Sequence, residues 1–355
     1  MSLSISRRHL LKFLSLTGMT TALPSLPIKA NEVLSTVDPT KDGKDDYSLI
    51  VGGTKESRIG QFSSTLADLF KQNIESNPLL SLQFTTGYDS VTASNLFDTR
   101  LTQDGSIALI TSGSAIIAAL AADPRVHFDY QHWIPVFSTI TPIIVISRQP
   151  FHNSIPDLLK NRTMKVGVST LIGKELPTLL GIELLQISTK PVIGITTLST
   201  GIEALRNRTI DILQIDSPEG FAELPKLLAE GFHIFFSFDQ ESSYSPSFSS
   251  LYTKLPHYRT GNTLFEIWQT LALAARINSA VFLPMLTPSA LVTKWRLNFE
   301  KITDNPYFQS IVHANNIVTQ NSLKTIDNFS KLIPSATATL ALRRWLSLKI
   351  SQWEN

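Results

Sequence analysis

The feature that most constrains the fold of this 355-residue chain is an alternation of short apolar runs with longer segments of helical spacing. Residues 47–51, "YSLIV", suit a buried strand, and the following segment places its apolar residues three or four apart. The segments "SLQFTT", "SVTASNLFDTRL", "GSIALITS" and "GSAIIAALAA" continue the alternation. Strands that alternate with helices in this way predict an α/β fold with parallel strands rather than an all-β sandwich.

The middle of the chain repeats one supersecondary unit. "SIPDLLKNRTMKVGVST" and "GIEALRNRTIDILQID" each predict a helix, an Asn-Arg-Thr turn and a buried strand. Because asparagine tolerates the left-handed conformation, we expect Asn161 and Asn207 to end their helices. The polar and aromatic segment 239–262 has no clear period and predicts a long surface connection. Residues 336–351 predict the last helix.

The first 30 residues have the composition of an export signal. Arg7 and Arg8 precede a short, broken apolar run, and no acidic residue occurs in this stretch. Residues 6–12, "SRRHLLK", resemble the twin-arginine signal and depart from it only by a leucine where that signal usually has phenylalanine. We expect export by the twin-arginine machinery to the periplasm, cleavage near Ala30 and a linker over residues 31–46. A basic amphipathic helix on the mature protein is the alternative.

Composition and motifs exclude several classes of function. Removal of residues 1–30 takes away four basic and no acidic residues, so the net charge changes from +2 to −2 and nucleic-acid binding loses its electrostatic basis. The absence of cysteine excludes disulfides, thiolate metal sites and cysteine nucleophiles. The seven histidines show no metal-binding spacing. Because no GxSxG, GxxxxGK[ST] or GxGxxG motif occurs, the sequence predicts no enzyme, no metal and no cofactor.

Three segments rich in Gly, Ser and Thr lie where a strand is expected to lead into a helix: residues 52–57, 111–115 and 169–175. Helix N-termini bind anions because their first N–H groups lack partners and the dipole end is positive. In open α/β sheets, ligands lie beyond the carboxyl ends of the strands. Ordinary N-capping is the alternative, since Ser, Thr and Gly prefer these positions in any case. Three such segments in parallel positions on two domains favour a carboxylate-binding cleft.

Taken in order, these segments resemble the extracytoplasmic solute-binding proteins of tripartite tricarboxylate transporters, the TctC or Bug family. "VGGTKESRIGQFSSTLADLF" is similar to that family's opening strand, Gly-Gly loop and first helix, and "LTQDGSIALITSGSAIIAAL" to its Asp-Gly turn, strand and Gly-Ser loop. "DPRVHFDYQHWIPVFSTITPIIVIS" resembles the passage into its crossing strand, and "FLPMLTPSALVTKWRLNFEKITDNPYFQS" resembles its last segment. The likeness covers about residues 47–345.

The resemblance implies an α/β, two-domain, periplasmic-binding-protein-like clamp of type II, whose lobes are joined by two crossing strands and close over a small organic acid. Residues 47–145 and 265–355 would form lobe 1, and residues 146–264 lobe 2. The implied function is delivery of a carboxylate to the membrane permease subunits of a transporter, by a monomer and without catalysis. Carried over by position, the ligand-binding residues are Gly52, Gly53, Thr54, Glu56, Thr111, Ser112, Ser114, Ser169, Thr170, Leu171, Asp216 and Ser217.

The chain departs from the family's pattern in the first and third of these loops. Glu56 stands where the family commonly has Asp, and Ile59-Gly60 stands where it has an Ala-Arg pair. Lys174 and Glu175 occupy positions where the family tends to have small polar residues. Two other functions stay open at this point: a sensor that passes its closed state to a membrane receptor, and an exported enzyme with a bound cofactor.

Overall fold

The structure is a computed structural model, and it describes residues 47–74, 79–99, 104–148, 163–239, 244, 246–256 and 259–353. The predicted export signal over residues 1–30, the linker over residues 31–46 and the turn at Asn161 lie outside the described residues. The described strands form two separate sheets, one of six strands and one of five.

The first sheet contains β1 (Tyr47–Val51), β2 (Leu80–Phe84), β3 (Ile107–Thr111), β4 (Ile134–Ile140), β10 (Ile277–Leu283) and β11 (Val318–Gln320). They lie in the order β11-β4-β10-β3-β1-β2. Strand β1 is parallel to both β2 and β3, whereas β10 runs antiparallel to β3 and β4. The carboxyl ends of β1, β2 and β3 therefore meet at one edge of this sheet.

The second sheet contains β5 (Ile144–Ser147), β6 (Met164–Val168), β7 (Thr189–Ile193), β8 (Ile212–Ile215) and β9 (His233–Ser237). They lie in the order β7-β6-β8-β5-β9. Strand β6 is parallel to β7 and β8, and β5 is antiparallel to both β8 and β9. The carboxyl ends of β6, β7, β8 and β9 therefore lie at the same edge.

Helices connect the strands, as the alternating sequence pattern predicts. The helices of the described residues are α1 (Arg58–Gln72), α2 (Val91–Asp98), α3 (Gly113–Leu120), α4 (Leu176–Leu184), α5 (Leu198–Arg206), α6 (Pro218–Ala229), α7 (Phe248–Thr253), α8 (Thr263–Arg276), α9 (Ser289–Thr303), α10 (Pro306–Ala314), α11 (Ser322–Lys331) and α12 (Ala336–Trp353). Ser57, Thr197 and Ser217 cap α1, α5 and α6 through their side-chain oxygens. Of these helices, none has both the length and the apolar character that crossing a membrane requires.

The chain crosses between the sheets twice. Strand β4 leads through residues 141–143 into β5, and the chain returns from β9 through α7 and α8 into β10. The N–H of Thr141 donates to the Arg276 carbonyl at 2.8 Å, and the N–H of Phe238 donates to the Ile143 carbonyl at 3.0 Å. The two crossings therefore lie side by side. The predicted α/β fold with two lobes is confirmed, with the second crossing completed by a helix.

The lobe limits predicted from the sequence, 145/146 and 264/265, stay a prediction. The chain passes from the first sheet to the second shortly before the first of these limits, because Ile144 and Val145 already pair with strands of the second sheet. The sequence marks the crossing at Thr141 and Pro142, since the apolar run of β5 begins at Ile143. Helix α8, which carries the chain back, begins at Thr263.

One apolar core continues across both lobes. It contains Ile50 and Leu109 of the first sheet, Val145 and Ile212 of the second sheet, and Trp268 of α8. A second core lies between the first sheet and α1, α9 and α10, and a third lies between the second sheet and α5 and α6. The lobes are therefore fused along the face that α8 covers and are packed separately on the opposite face.

Helix α12 contacts both lobes on the face that α8 covers. Arg343 Nε donates to the Leu120 carbonyl at the end of α3, at 3.2 Å. Nearer the C-terminus, Lys349 Nζ lies 2.7 Å from Glu183 Oε2 of α4, and the Trp353 indole N–H donates to the Thr189 carbonyl at 2.9 Å. A wide opening of the lobes on this face would break these contacts.

The described part of segment 239–262 contains a buried helix, so the predicted surface connection is wrong there. Phe248 and Tyr252 of α7 are 0% and 1% exposed. The Phe248 ring lies 4.0 Å from the Trp268 ring between centroids, and the Tyr252 ring lies 4.5 Å from that of Phe265. The two aromatic side chains lie one helical turn apart, and tertiary packing buries them. The sequence did not indicate a helix here because the segment is rich in serine.

Candidate functional site

Ser90 joins two of the predicted ligand loops at the carboxyl edge of the first sheet. Its Oγ donates to the Gly52 carbonyl at 2.7 Å and lies 3.0 Å from Ser112 Oγ, and it accepts from the Ser112 N–H at 3.2 Å. Ser90 is 1% exposed and has a left-handed backbone with φ of 62°. A Cβ on Gly52 would lie 2.4 Å from Ser90 Oγ, so this close approach requires glycine at position 52.

Helix α3 begins beside this serine without a side-chain cap. Its N-cap residue, Ser112, makes no capping hydrogen bond, because its hydroxyl lies against Ser90. The first N–H groups of a helix have no partner within the helix, and the helix dipole adds positive potential there. Gly113 and Ser114 supply the first two N–H groups of α3, at the carboxyl edge of β3. This N-terminus is a place where a carboxylate can bind.

The first loop turns back onto α1. The Thr54 carbonyl accepts from the N–H of Ser57 at 3.1 Å and from its hydroxyl at 2.6 Å, and Ser57 Oγ accepts from the Gly60 N–H at 3.2 Å. A Cβ on Gly60 would lie 2.0 Å from the Thr54 oxygen. This loop conformation therefore requires glycine at position 60. Lys55 and Glu56, between these residues, are exposed.

A carboxyl group holds the loop that follows β6. Ser169 Oγ donates to Glu175 Oε2 at 2.9 Å, and a Cβ on Gly173 would lie 2.7 Å from the same oxygen. Lys174 Nζ lies 4.0 Å from Oδ2 of Asp216, the residue that follows β8. Burial and the negative charge of Asp216 raise the pKa of Glu175, in spite of the hydrogen bond from Ser169. The loops that follow β6 and β8 thus carry two carboxyl groups and one lysine.

Replacing Glu175 with Gln is expected to raise the melting temperature at neutral pH. Because the folded-state pKa of Glu175 is raised above its ordinary 4.5, the folded protein binds this proton more tightly than the unfolded chain. Its contribution to stability is complete below pH 4.5 and is lost as the pH rises through the folded-state pKa. The advantage of Glu175→Gln should therefore disappear in acid, which thermal melts of both proteins at two pH values check.

The matched control for this prediction is Glu183→Gln. Glu183 lies 2.7 Å from Lys349 and accepts hydrogen bonds from Thr189, so its neutralisation should destabilise the protein at neutral pH. A Glu175→Gln protein that melts at or below the wild-type temperature at neutral pH would contradict the prediction.

An ion pair between Arg58 and Glu219 connects the two lobes. Arg58 is the first residue of α1, which follows β1, and Glu219 lies in the first turn of α6, which follows β8. The carboxyl edges of the two sheets therefore face each other at this point. The side chains are 61% and 62% exposed, so the pair lies at the mouth of the space between the edges.

The structure divides the predicted site residues between the two facing edges. Along the first sheet lie Gly52, Gly53, Thr54, Glu56, Thr111, Ser112 and Ser114, and along the second lie Ser169, Thr170, Leu171, Asp216 and Ser217. Ser217 acts as an ordinary N-cap, since its Oγ accepts from the Gly220 N–H at 3.2 Å. Contact of any of these residues with a ligand stays a prediction. Within the described ranges, no three acidic or histidine side chains are grouped so that they could hold a metal ion.

Sequence analysis missed the residues that tie these loops together. Ser90 precedes α2 rather than following a strand, and its left-handed backbone has no sequence signal. In the second lobe, Thr178 Oγ1 donates to Gln214 Oε1 at 2.7 Å, which connects α4 to β8. Gln214 Nε2 in turn donates to the Lys174 carbonyl at 3.4 Å. The side chains of residues 90, 178 and 214 thus connect the loops of the candidate site by hydrogen bonds.

Replacing Ser90 with Ala is expected to lower the free energy of unfolding by about 1–3 kcal/mol, because the buried Gly52 carbonyl loses the hydroxyl that donates to it. Urea denaturation measures the change. Ser330→Ala is the control, since Ser330 is exposed and its hydroxyl donates only to the Asp327 carbonyl of its own helix. Equal stability of the Ser90 variant and the control would show that Ser90 does not hold the two loops together.

Comparison with known proteins gives matches among solved structures. No protein-family model matches the chain, and no curated protein matches its sequence. A TctC solute-binding protein from Polaromonas, without ligand, aligns with a TM-score of 0.63 at 9% identity, over 86% of this chain and 98% of that chain. The chain has the fold of the TctC solute-binding proteins.

Two further solved structures have this TctC fold. MatC from Rhodopseudomonas palustris, with bound malate, aligns with a TM-score of 0.52 at 14% identity, over 87% of this chain and 97% of that chain. The periplasmic binding protein BugD aligns with a TM-score of 0.51 at 12% identity, over 85% of this chain and 96% of that chain. The predicted resemblance to the TctC and Bug proteins is thereby confirmed at the level of the fold.

Proposed function

We propose that this chain is a periplasmic solute-binding protein that captures a small organic acid and delivers it to the membrane permease subunits of a tripartite tricarboxylate-type transporter. The observation that carries the proposal is the uncapped N-terminus of α3 beside Ser90, at a sheet edge that faces the second lobe. The fold supports it as well, because MatC, which has the same fold, holds malate.

Directed hydrogen-bond donors, rather than a fixed positive charge, would recognise the carboxylate in lobe 1. The N–H groups of Gly113 and Ser114 and the hydroxyl of Ser114 lie together at the start of α3. Hydrogen bonds from such donors to an ionised acceptor are shorter and stronger than neutral ones. We assign the protein no catalytic step, so the acid is released unchanged.

The second lobe would contact the other end of the acid. Lys174 supplies a positive charge beside Asp216, and Glu175 supplies a hydrogen-bond donor when its carboxyl group is neutral. An ionised Glu175 would repel a second carboxylate of the ligand. The raised pKa of Glu175 therefore favours binding of a dicarboxylate at lower pH.

The proposal includes the route by which the protein reaches its ligand. We infer export by the twin-arginine machinery, cleavage near Ala30 and action in the periplasm as a monomer. The support for this route is the "SRRHLLK" segment and the acid-free stretch around it. The mature charge of −2 gives no electrostatic reason for binding to nucleic acid.

Replacing Arg58 with Ala is expected to weaken binding of the acid by no more than about fivefold. Exposed ion pairs contribute about 0.2–1 kcal/mol, and about 1.4 kcal/mol corresponds to tenfold in affinity. The change should shrink as the salt concentration rises, because exposed charges are screened. Calorimetric titration of both proteins at low and high salt checks this, with exposed Lys55→Ala as the control. A loss far above tenfold would show that Arg58 contacts the ligand itself.

Thermal unfolding in the presence of di- and tricarboxylates, aromatic acids and amino acids tests the proposed function. A ligand that binds only the folded state stabilises it by about 2.7 kcal/mol at about 100 times its dissociation constant. For a protein of this size the melting temperature should rise by several degrees. A concentration-dependent rise with one class of carboxylate is the expected result. A folded protein that no acid stabilises would overturn the proposal.

A further inference from the structure

A cavity of about 500 Å³ lies beside α8, away from the candidate cleft. One wall is formed by Phe238 and Asp239, which follow β9 of the second sheet. The opposite wall is formed by Lys331 and Ile333 at the end of α11, which belongs to the first lobe. Cavities of this volume hold small organic molecules.

The sheet order separates this cavity from the proposed carboxylate cleft. In the second sheet, β5 lies between β9, which borders the cavity, and β8, which borders the cleft. In the first sheet, β4 and β10 lie between β11, which packs against α11, and β3, which leads into α3. The two crossings separate the cavity from the cleft. Arg276 and Phe238, which hydrogen-bond to residues 141 and 143 of the first crossing, both line the cavity. A molecule in the cavity therefore does not occupy the cleft.

Two acidic and two basic side chains line the cavity. Asp239 and Arg276 form an ion pair whose side chains are 24% and 14% exposed. Glu266, at the other end of α8, accepts from the Ser335 N–H through Oε1 at 3.0 Å. Lys331, at the end of α11, forms an exposed ion pair with Asp327 one turn earlier, with Nζ 2.6 Å from Oδ2, and its carbonyl accepts from Thr270 Oγ1 at 3.2 Å. Both side chains of this pair are 59% exposed, and exposed pairs of this kind are weak.

This arrangement selects against ligands of a single charge. A dicarboxylate would meet the carboxylates of Glu266 and Asp239. A cation without an anionic group would meet Lys331 and Arg276 instead. A zwitterion can place its ammonium group at an acidic side chain and its carboxylate at a basic one. The apolar walls, which include Ile333, then accept a hydrocarbon side chain.

We propose that this cavity is a second binding site, for the zwitterion of an α-amino acid with an apolar side chain. The ammonium group binds Glu266, and the carboxylate binds Lys331 in place of its exposed partner Asp327. Because the lining comes from both lobes, the bound amino acid bridges them on the far side of the crossings from the cleft. The site is independent of the proposed function and does not require the cleft to bind a carboxylate.

Calorimetric titration of the full chain with leucine, leucinamide and N-acetylleucine tests the proposal. Leucinamide lacks the carboxylate and N-acetylleucine lacks the ammonium group, so both should bind at least about tenfold more weakly than leucine. Lys331→Ala and Glu266→Gln should each weaken leucine binding by about tenfold or more. Lys324→Ala, an exposed lysine on the same helix, should leave it unchanged.

Ser112→Ala separates this site from the cleft. Leucine affinity should be unchanged in this variant, because Ser112 lies at the start of α3 and does not line the cavity. The proposal is overturned if leucine gives no saturable binding, or if its two derivatives bind as tightly as leucine. It is also overturned if Ser112→Ala weakens leucine binding while folded Lys331→Ala and Glu266→Gln proteins, checked by circular dichroism, bind normally.

Discussion

Replacing Trp268 with Ala is expected to lower the free energy of unfolding by about 3–5 kcal/mol. The indole is 1% exposed, its N–H donates to the Pro177 carbonyl at 2.9 Å, and its ring lies 4.0 Å from that of Phe248 between centroids. Trp268 belongs to the core that both lobes share, so the variant would have a cavity where α8 passes between the two sheets. Urea denaturation followed by circular dichroism measures the loss.

Trp353→Phe is the matched control for this prediction. It keeps an aromatic ring at the end of α12 and removes only the hydrogen bond to the Thr189 carbonyl, so the expected loss is about 1 kcal/mol. If Trp268→Ala costs no more than this control, α8 does not hold a core common to both lobes.

Replacing Gly60 with Ala is expected to destabilise the protein by about 1–3 kcal/mol and to abolish binding of the acid. The added Cβ would lie 2.0 Å from the Thr54 carbonyl oxygen and 2.9 Å from that of Lys55, so the loop 52–57 must move. Alanine inside a helix otherwise gains about 1 kcal/mol over glycine. A net loss of stability therefore isolates the clash, and urea denaturation together with titration of the acid measures both effects.

Ser64→Ala, one turn further along α1, is the control for the Gly60 variant. The Ser64 hydroxyl donates to the Gly60 carbonyl within the helix at 3.0 Å, so its removal should change stability and affinity little. A Gly60→Ala protein that is as stable as wild type and binds the acid normally would show that the first loop does not depend on this close approach.

Most of the fold could be predicted because strand and helix periods alternate clearly along the chain. The strand β10 could not be predicted in this way, because Ile277 directly follows Arg276, the last residue of α8, with no glycine, proline or turn between them. Helix α7 could not either, since Ser247 caps it within a serine-rich segment and the burial of Phe248 depends on Trp268, which is distant in the sequence. In both cases tertiary packing decides the structure.

The turn after α5 shows that the sequence also left the backbone conformation of single residues undetermined. Asn207 was expected to adopt the left-handed conformation, but its φ is −84° and the left-handed residue is Arg208, with φ of 66°. The Asn207 side chain instead accepts from the N–H and the hydroxyl of Thr209, at 3.1 Å and 2.6 Å. The prediction placed the turn correctly and the left-handed residue one position too early, because the asparagine side chain offers two ways to end a helix.

The loops of the candidate site that follow strands could be predicted from the sequence. The tertiary contacts that join these loops could not. Glycine, serine and threonine after β1, β3 and β6 identified the loops along the two edges. Nothing in the sequence indicated that Ser90 would reach both Gly52 and Ser112, or that Arg58 would pair with Glu219 of the other lobe. These contacts join residues 22–161 positions apart, so only the folded chain reveals them.

Hydrogen–deuterium exchange of the free and acid-saturated protein tests the central claim, that an acid binds between the facing edges of the two sheets. We predict slower exchange at residues 52–57 and 112–115 of the first lobe and at residues 169–175 and 216–219 of the second, all in the same experiment. Exchange at the end of α11 should not change, because α11 borders the separate cavity. Protection confined to one lobe, or centred on α8 and α11, would contradict the account.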